Sequence, residues 1–507
     1  MLFGTDGIRG IICDSQDSDE DSIEDLVENR SISPRFMKIV GEALSRFTEP
    51  NSQVIIGWDD RPGNHDLVNS LTIGLRLGNC RVIHGGLCAT PGLHNALLQT
   101  ESRFGCMITA SHNPVSESGI KIFDFEGFKT TPEMEAEISE LIIQIAAEDR
   151  EVDKVDLEIL STPDSVYEAD KNHKIMVTER AKSFAEMFAP INQSSILLDC
   201  SKGAPSNWLA ELLCKLGVDA QEISAHAVAL NDNCGAGELS PTDSWTFEEA
   251  KESEHVLIKS LPRSPEGNFV AAALDGDGDR CLLIQATADG FRVVDGDEMA
   301  DYILRAATGK WHLAASIESD LALSSSLSRL NADVQFSQTA VGDRWLSNAL
   351  RNSVCEVIGV EDSGHIVLSA PHPKGGKCLV GDGSASLIAV LSAAAVQNKA
   401  TMFKRGFKRR ISIKNTNRKL WDGKNELSNK IENIVAESIN GLTRKNIFGE
   451  PNLMLLESSE ISIGIRNSGT QPKTNISLRL APSMDNELPL QVVEELEVLL
   501  RNELVGE

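Results

Sequence analysis

The chain has 507 residues, a formal net charge of −27, 41% hydrophobic and 24% charged residues. That length exceeds what one hydrophobic core can organise, so about three or four domains are expected. The acidic balance excludes nucleic acid and anionic membranes as partners, because both require a basic surface; a phosphorylated small molecule stays compatible with a locally basic pocket. Ten cysteines occur without a C-x-x-C pair, and several lie in apolar runs (Cys106, Cys200, Cys281). They read as buried thiols of a reducing cytoplasm. Gly4, Asp6 and Gly7 stand where a signal peptide needs an apolar core, and the apolar stretch from Leu387 to Val396 is too short for a bilayer. The expected location is the cytoplasm.

In chain order, FGTDGIRG (Phe3–Gly10) is a glycine-punctuated turn that delivers Arg9. Asp14 to Glu28 carries eight carboxylates. Such a run repels itself and reads as a solvated loop. From Ser33-Pro34 the pattern alternates: a helix to Phe47, a strand at Val54–Gly57, a helix at Leu67–Leu77 and a strand at Arg81–Ile83. A further short strand, Cys106–Thr109, leads into Ala110-Ser111-His112-Asn113-Pro114. Strands alternating with helices predict a parallel sheet covered on both faces. The polar segment Glu148–Lys174 reads as a connection between domains. A second α/β unit has a strand at Ile196–Leu198, a helix at Pro205–Leu216 and strands Phe269–Leu274 and Cys281–Ile284. A third, Val294 to Ala400, has a helix from Glu298, a strand at Leu313–Ile317 and a helix at Ser384–Val396. The last hundred or so residues change character. Strands Ile411–Ile413, Leu453–Leu456, Ile461–Ile465 and Ile476–Leu480, with helices Glu426–Ile439 and Leu490–Leu500, predict a small α+β domain.

Four stretches carry chemistry. Ser111 sits on a strand-to-loop edge next to His112, and Ser118-Gly119-Ile120-Lys121 follows within ten residues. A hydroxyl, an imidazole and an ammonium so placed suit covalent catalysis, and a bare serine loop is the competing reading. Asp275-Gly276-Asp277-Gly278-Asp279-Arg280 alternates carboxylates with glycines, an oxygen-only donor set for a hard cation such as Mg²⁺. It is not an EF-hand, since Arg280 and Ala286 occupy the positions that need Gly and Glu. Glu361-Asp362-Ser363-Gly364-His365 offers acceptors for sugar hydroxyls. Arg466-Asn467-Ser468-Gly469-Thr470 offers a guanidinium, hydroxyls and a close backbone, which is a phosphate cradle. A serine hydrolase is disfavoured, because no G-x-S-x-G elbow surrounds Ser111.

Together these stretches resemble the α-D-phosphohexomutases, and within them the phosphoglucosamine mutases. The motifs run in order along nearly the whole chain: FGTDGIRG, GWDDR (Gly57–Arg61), TASHNP, SGIK, DCSKGA, NDNCG (Asn231–Gly235), DGDGDR, VDGD (Val294–Asp297), VGDR (Val341–Arg344), EDSGH, GDG (Gly381–Gly383) and RNSGT. The resemblance implies a four-domain enzyme, with three related α/β domains of mixed, mainly parallel sheets and a C-terminal α+β domain. Their expected spans are residues 1–165, 166–288, 289–402 and 403–507. It further implies that Ser111 is a phosphoserine that, with Asp275, Asp277 and Asp279, holds one Mg²⁺. Lys121 is the implied general acid/base, a role that needs a lowered pKa, with His112 assisting, and Arg9 and Arg280 are implied to neutralise charge at the reacting centre. Arg280, Asp343, Arg344, Glu361, Ser363 and His365 are implied to bind sugar, and Arg466, Ser468, Gly469 and Thr470 to bind phosphate. The implied reaction interconverts glucosamine 6-phosphate and glucosamine 1-phosphate through glucosamine 1,6-bisphosphate, for UDP-N-acetylglucosamine synthesis. Glucose or mannose phosphates, or a non-catalytic sugar-phosphate-binding paralogue, are the alternatives. The expected partner is a small sugar phosphate, with no nucleic acid or membrane, and the chain is compatible with a homodimer. Departures from the family pattern are Ser118 for Asn, Ala340 for a lysine, Val360 for Gly, Gln471 for Glu and Asn475 for an arginine. They bear on the choice of sugar more than on the chemistry.

Overall fold

The computed structural model describes residues 2–4, 6–148, 158–396, 400–468 and 473–505. Their contacts divide the chain into two compact units, Met1–Met299 with Ser363–Gln397, and Ala300–Asp362 with Asn398–Glu507.

In the first unit, one sheet is built from β1 (Ile8–Ile12), β2 (Ser31–Ile32), β3 (Gln53–Trp58), β4 (Arg81–Leu87), β5 (Phe104–Ile108), β6 (Glu117–Asp124) and β7 (Ser165–Val166). Its order is β2-β1-β6-β5-β3-β4-β7. β3, β4, β5 and β7 run parallel, while β6 is antiparallel to both β5 and β1. Every residue of β5 is buried, as a central parallel strand requires. Its core includes Ile56, Phe104 and Ile108 from the strands, and Phe36, Leu71 and Ile142 from the helices Pro34–Arg46, Asn64–Leu77 and Pro132–Ala146.

A second sheet of this unit comprises β8 (Ser195–Asp199), β9 (Asp219–Glu222), β10 (Ser244–Thr246), β11 (Phe269–Leu274), β12 (Cys281–Ala286) and β13 (Gly290–Val294), in the order β10-β13-β12-β11-β8-β9. The tight antiparallel pairing of β11 with β12 aligns Leu274 with Cys281 and leaves residues 275–280 as the connecting loop.

The second unit contains β14 (Lys310–Ser316), flanked on both sides by the parallel strands β15 (Asp333–Thr339) and β16 (Glu356–Val360). After β17 (Ile366–Pro371) and β18 (Lys377–Gly381), an antiparallel pair of the first unit, the chain returns to an all-antiparallel sheet. This is β19 (Phe407–Lys414), β20 (Thr443–Lys445), β21 (Met454–Glu457), β22 (Ile461–Asn467) and β23 (Lys473–Leu480), in the order β19-β23-β22-β21-β20. Helices Glu426–Ser438 and Glu487–Leu504 cover one face through Ile431, Val435, Leu496 and Leu500. The chain is thus an α/β protein with mixed, mostly parallel sheets and a C-terminal antiparallel domain.

The acidic run departs from expectation. Asp19–Asn29 is a helix: Ser18 caps it by accepting from the Asp21 amide, and Asp19, Glu20 and Asp21 occupy the first turn, where carboxylates favour the helix dipole. Fully buried Leu26 ties it to the core, a contribution of about 2 kcal/mol. Charge counting hid one apolar anchor. The supposed connection Glu148–Lys174 is also partly structured, since the helix Ala169–Met187 begins inside it; residues 149–157 lie outside the described set. The ten cysteines are all free, with Cys106, Cys200 and Cys281 among those buried. No described helix is long and apolar enough to cross a membrane.

Buried histidines give this fold an acid limb. Burial holds the 1%-exposed His94 down at about 4, although a hydrogen bond with the Gly127 backbone works the other way. A histidine with depressed folded pKa contributes stability that is present above about pH 6.5 and lost as pH falls toward 4, here about 3 kcal/mol. Urea unfolding of wild type is expected to weaken across that window, and His94→Gln to flatten it. Equal pH slopes for the two proteins would refute the assignment.

Candidate active site

Ser111 is the third residue after β5 and turns into the loop with φ +55°, a left-handed conformation that costs a non-glycine residue about 1 kcal/mol or more. The surroundings overdetermine this conformation. The Ser111 amide donates to Thr109 Oγ1 at 2.8 Å, and Thr109 in turn donates to Asp59 Oδ2 at 2.7 Å. The Ser111 carbonyl accepts from Arg61 Nη2 and from Asn231 Nδ2, each at 2.6 Å. The hydroxyl is thereby aimed at the aspartate loop, where it donates to Asp275 Oδ2 at 2.7 Å.

Asp275, Asp277 and Asp279 are all buried, each with a carboxylate oxygen within 4.8 Å of the others. Gly278 makes the turn possible, because its φ is +71°. Burial, then the charges of Asp279 and Asp277, push Asp275 up to about 8. Lys121, projecting from β6, lies 2.6 Å from Asp277 Oδ2 and 2.8 Å from Asp279 Oδ2. Oδ1 of Asp277 and Oδ1 of Asp279 are nevertheless buried without a hydrogen-bond partner among the described residues, although His365 Nδ1 comes within 3.7 Å of the latter. Orphaned carboxylate oxygens in an oxygen-only cluster are the donor set of a hard cation, so these residues fit Mg²⁺.

Arg9 donates to the Ala110 carbonyl at 3.2 Å and pairs with Asp6 at 2.7 Å, while Lys121 lies 3.4 Å from Asp6. His112 is mostly buried next to Arg280: that charge, then burial and Arg9, hold it well below its ordinary value, and its Nδ1 is unpartnered among the described residues. It is a neutral imidazole, able to accept a proton. Lys121 behaves oppositely to expectation. Burial works against its charge, but Asp277, Asp279 and Asp6 outweigh burial and hold the ammonium well above its ordinary value. The lowered pKa wanted of a lysine base is absent here; the carboxylates that were expected to serve a metal also hold the proton on Lys121.

The segment Ser363-Gly364-His365 meets this loop. The Cys281 amide donates to the Gly364 carbonyl at 3.0 Å, Arg280 and His365 form a β-bridge, and His365 Nδ1 is 3.7 Å from Asp279. Ser363 Oγ is buried without a partner among the described residues.

Several positioning residues lay inside quoted motifs without an assigned task. Arg61, in GWDDR, is 4% exposed; it pairs with Asp59 at 2.9 Å and donates to the carbonyls of Ser111, Asn113, Pro114 and Glu117. Asn231, in NDNCG, is held through its Oδ1 by Ser201 of DCSKGA at 2.6 Å. Thr90 Oγ1 donates to Asp277 Oδ2 at 2.5 Å, a contact across 187 residues that no local pattern could signal. Arg61→Met strands the buried Asp59 carboxylate and should cost about 3–5 kcal/mol in denaturant unfolding. Asn231→Ala should cost about 1–3 kcal/mol, by leaving the Ser111 loop underheld. Stabilities within 0.5 kcal/mol or so of wild type would contradict these roles.

The other expected residues lie in the second unit. Glu361 Oε1 accepts from the Gly342 amide at 2.7 Å, which ties Glu361 to VGDR. Asp343 opens the helix Asp343–Leu350, and the Arg344 guanidinium lies 5.9 Å from the Trp345 ring centroid. Arg466, at the end of β22, pairs with Glu318 at 3.1 Å and Glu450 at 3.6 Å, and the Ser468 amide donates to the Lys473 carbonyl at 2.8 Å. Gly469, Thr470 and Gln471 lie outside the described residues.

Comparison with known proteins bears on the family of the chain. Residues 1–149 match the phosphoglucomutase/phosphomannomutase alpha/beta/alpha domain I, and residues 295–405 match domain III. A phosphoglucosamine mutase of Bacillus pumilus is 26% identical, covering 99% of this chain and 98% of its own. One of Bacillus cereus is 28% identical over 87% of this chain and 89% of its own. Among solved structures, a phosphoglucomutase/phosphomannomutase family protein of Burkholderia thailandensis has a TM-score of 0.67 at 17% identity, covering 99% of this chain and 97% of its own. The Aspergillus fumigatus N-acetylphosphoglucosamine mutase in complex with GlcNAc-6P and magnesium has a TM-score of 0.56 at 14% identity, covering 92% and 99%. Two family domains in the expected order, with end-to-end relatives, establish that the chain belongs to the phosphoglucomutase/phosphomannomutase family, the α-D-phosphohexomutases, close to its phosphoglucosamine mutases.

Proposed function

We propose that this enzyme interconverts glucosamine 6-phosphate and glucosamine 1-phosphate through a phosphoserine at Ser111 and glucosamine 1,6-bisphosphate, acting in the cytoplasm in support of UDP-N-acetylglucosamine synthesis. The observation that carries the reading is the buried Ser111 hydroxyl, aimed from a strained loop at three clustered aspartates. Asp275, Asp277 and Asp279, with the phosphoserine, would hold one Mg²⁺. When bound, Mg²⁺ supplies neutralisation of the charge on the transferring phosphoryl group. The relatives' names support glucosamine as the sugar.

The first transfer breaks the Ser111 Oγ–P bond and forms a P–O bond to the free sugar hydroxyl. The hydroxyl proton leaves to a base, and the released serine oxygen takes up a proton. His112, with an unpartnered nitrogen, is placed to accept, and Lys121, with Nζ within 3 Å of Asp277 and Asp279, is placed to donate. The second transfer runs the same exchange with the bisphosphate's other phosphate, restoring phosphoserine. Arg9 and Arg280 add positive charge beside the centre. On this reading Glu361, Ser363, His365, Asp343 and Arg344 contact the sugar. Arg466 and Ser468, with Gly469 and Thr470, hold the phosphate that is not reacting. The four spans 1–165, 166–288, 289–402 and 403–507 then carry, in turn, the phosphoserine loop, the metal loop, the sugar loop and the phosphate loop.

The test is a mutase assay with Mg²⁺ and catalytic bisphosphate, comparing the 6-phosphates of glucosamine, glucose and mannose. A kcat/KM preference for glucosamine 6-phosphate of about tenfold or more is expected, the scale on which one well-placed polar contact discriminates. Preference for another sugar would keep the chemistry and reassign the substrate. Absence of turnover with all three would overturn the reading.

A further inference from the structure

Strands β19, β23 and β22 lie side by side, with Ser412, Asn475 and Arg466 in one cross-strand row. Alternation then sorts the residues. Ile413, Ile476 and Ile465 point into the core, while Arg410, Ser412, Lys414, Lys473, Asn475 and Arg466 share the opposite, polar face. Four cations thus gather on one small face of a protein whose net charge is −27.

Their counter-ions are few. Glu318 bridges two guanidiniums, with Oε1 3.1 Å from Arg466 Nη2 and Oε2 in contact with Arg410 Nη2. Glu450 approaches Arg466 from its other side at 3.6 Å. Lys414 and Lys473 have no ion pair among the described residues. Burial, then the charges of Arg410, Arg466 and Lys414, lower the Lys473 ammonium from its ordinary value, which shows that the positive charges converge. Lys408 and Arg479, further along the same face, have Asp362 and Glu457 as partners, whereas two carboxylates against four cations leave this end of it short of negative charge among the described residues.

We propose that Arg410 joins Arg466 as a two-guanidinium phosphate clamp, and that Glu318 is its built-in occupant, a carboxylate that an incoming phosphate must displace. The inference rests on the sugar-phosphate reading above and adds two residues to it. Two planar guanidiniums bound to one carboxylate present converging N–H donors, a geometry that suits a tetrahedral oxyanion. A phosphate dianion outcompetes a carboxylate monoanion here, whereas a neutral or carboxylate-bearing sugar does not; Glu318 therefore selects for phosphate by opposing weaker anions.

The experiment is isothermal titration of the full-length protein with inorganic phosphate, glucosamine 6-phosphate and glucosamine, alongside steady-state kinetics. Arg410→Ala is expected to weaken both phosphate ligands by about tenfold or more and to raise KM more than it lowers kcat. Arg410→Lys should recover only part of that loss, because an ammonium is a point charge without the fork. Glu318→Gln should tighten inorganic phosphate several-fold and leave glucosamine unchanged. Asn475→Arg, which restores a guanidinium to the same face, should rescue Arg410→Ala. Phosphate affinity within about twofold of wild type in Arg410→Ala, or weakened by Glu318→Gln, overturns the clamp. If inorganic phosphate responds as stated but no hexose phosphate is turned over, the clamp stands and the mutase reading falls. Turnover with an Arg410→Ala KM equal to wild type does the reverse.

Discussion

Ser111→Ala should lower hexose-phosphate interconversion by about 10³-fold or more, because the nucleophile that carries the phosphoryl group between the two transfers is gone. No neighbour replaces it. The hydroxyl is 1% exposed, and the aspartates, ammonium and imidazole around it are groups that bind metal or move protons. The fold should survive. Alanine retains the backbone bonds to Thr109, Arg61 and Asn231, and loses only the donor to Asp275, worth about 1–3 kcal/mol. Ser111→Gly is the matched control, equally inactive yet relieved of the left-handed strain at φ +55°. Intact-mass measurement of the active wild-type enzyme should reveal one phosphoryl group that both variants lack. An active Ser111→Ala, or one that keeps the phosphoryl mass, would remove Ser111 from the mechanism.

Much of the architecture was legible, because strand periodicity survives in single segments. The buried strands near Val54, Phe269 and Cys281 announce themselves by largely apolar runs, and the C-terminal sheet by alternating isoleucines on β19 and β22 and alternating Ile476, Leu478 and Leu480 on β23. The acidic helix Asp19–Asn29 was misread, because its evidence is one cap and one stripe residue, Ser18 and Leu26, inside a run dominated by charge. The helix Ala169–Met187 was missed for the same reason: its buried face mixes Met176, Val177 and Phe184 with His173 and Arg180.

At the site, local motifs single out the candidate reacting groups but not their support. Ser111 and the aspartate loop stand out, since each packs its chemistry into six residues or so. Arg61, Asn231 and Thr90 do not, because each acts on a partner 50 or more residues away along the chain. The surroundings of Lys121 were the least legible. A motif gives the lysine and gives the aspartates, but only the fold puts Nζ within 3 Å of Asp277 and Asp279. The same distances decide how the protein manages without a metal.

Three buried carboxylates in one loop repel one another, and Lys121 offsets part of that repulsion. Lys121→Met should therefore destabilise the metal-free protein by about 3–5 kcal/mol, the cost of stranding buried charge. Added Mg²⁺ should reverse most of that loss, since the cation takes over the neutralising role. In wild type, Mg²⁺ at about 100 times its dissociation constant should stabilise by about 2.7 kcal/mol, and chelation should abolish turnover. Asp279→Asn separates the two effects. It removes one charged ligand, so it should cut kcat by about 10³-fold and lose the Mg²⁺-induced rise in melting temperature, while easing repulsion in the metal-free state. Thermal unfolding of wild type, Lys121→Met and Asp279→Asn, each with EDTA and with excess Mg²⁺, reads all three expectations. Melting temperatures indifferent to Mg²⁺ in every protein would take the metal away from this loop. A destabilised Lys121→Met that Mg²⁺ fails to rescue would instead show that the ammonium has a packing role, with the cation bound elsewhere.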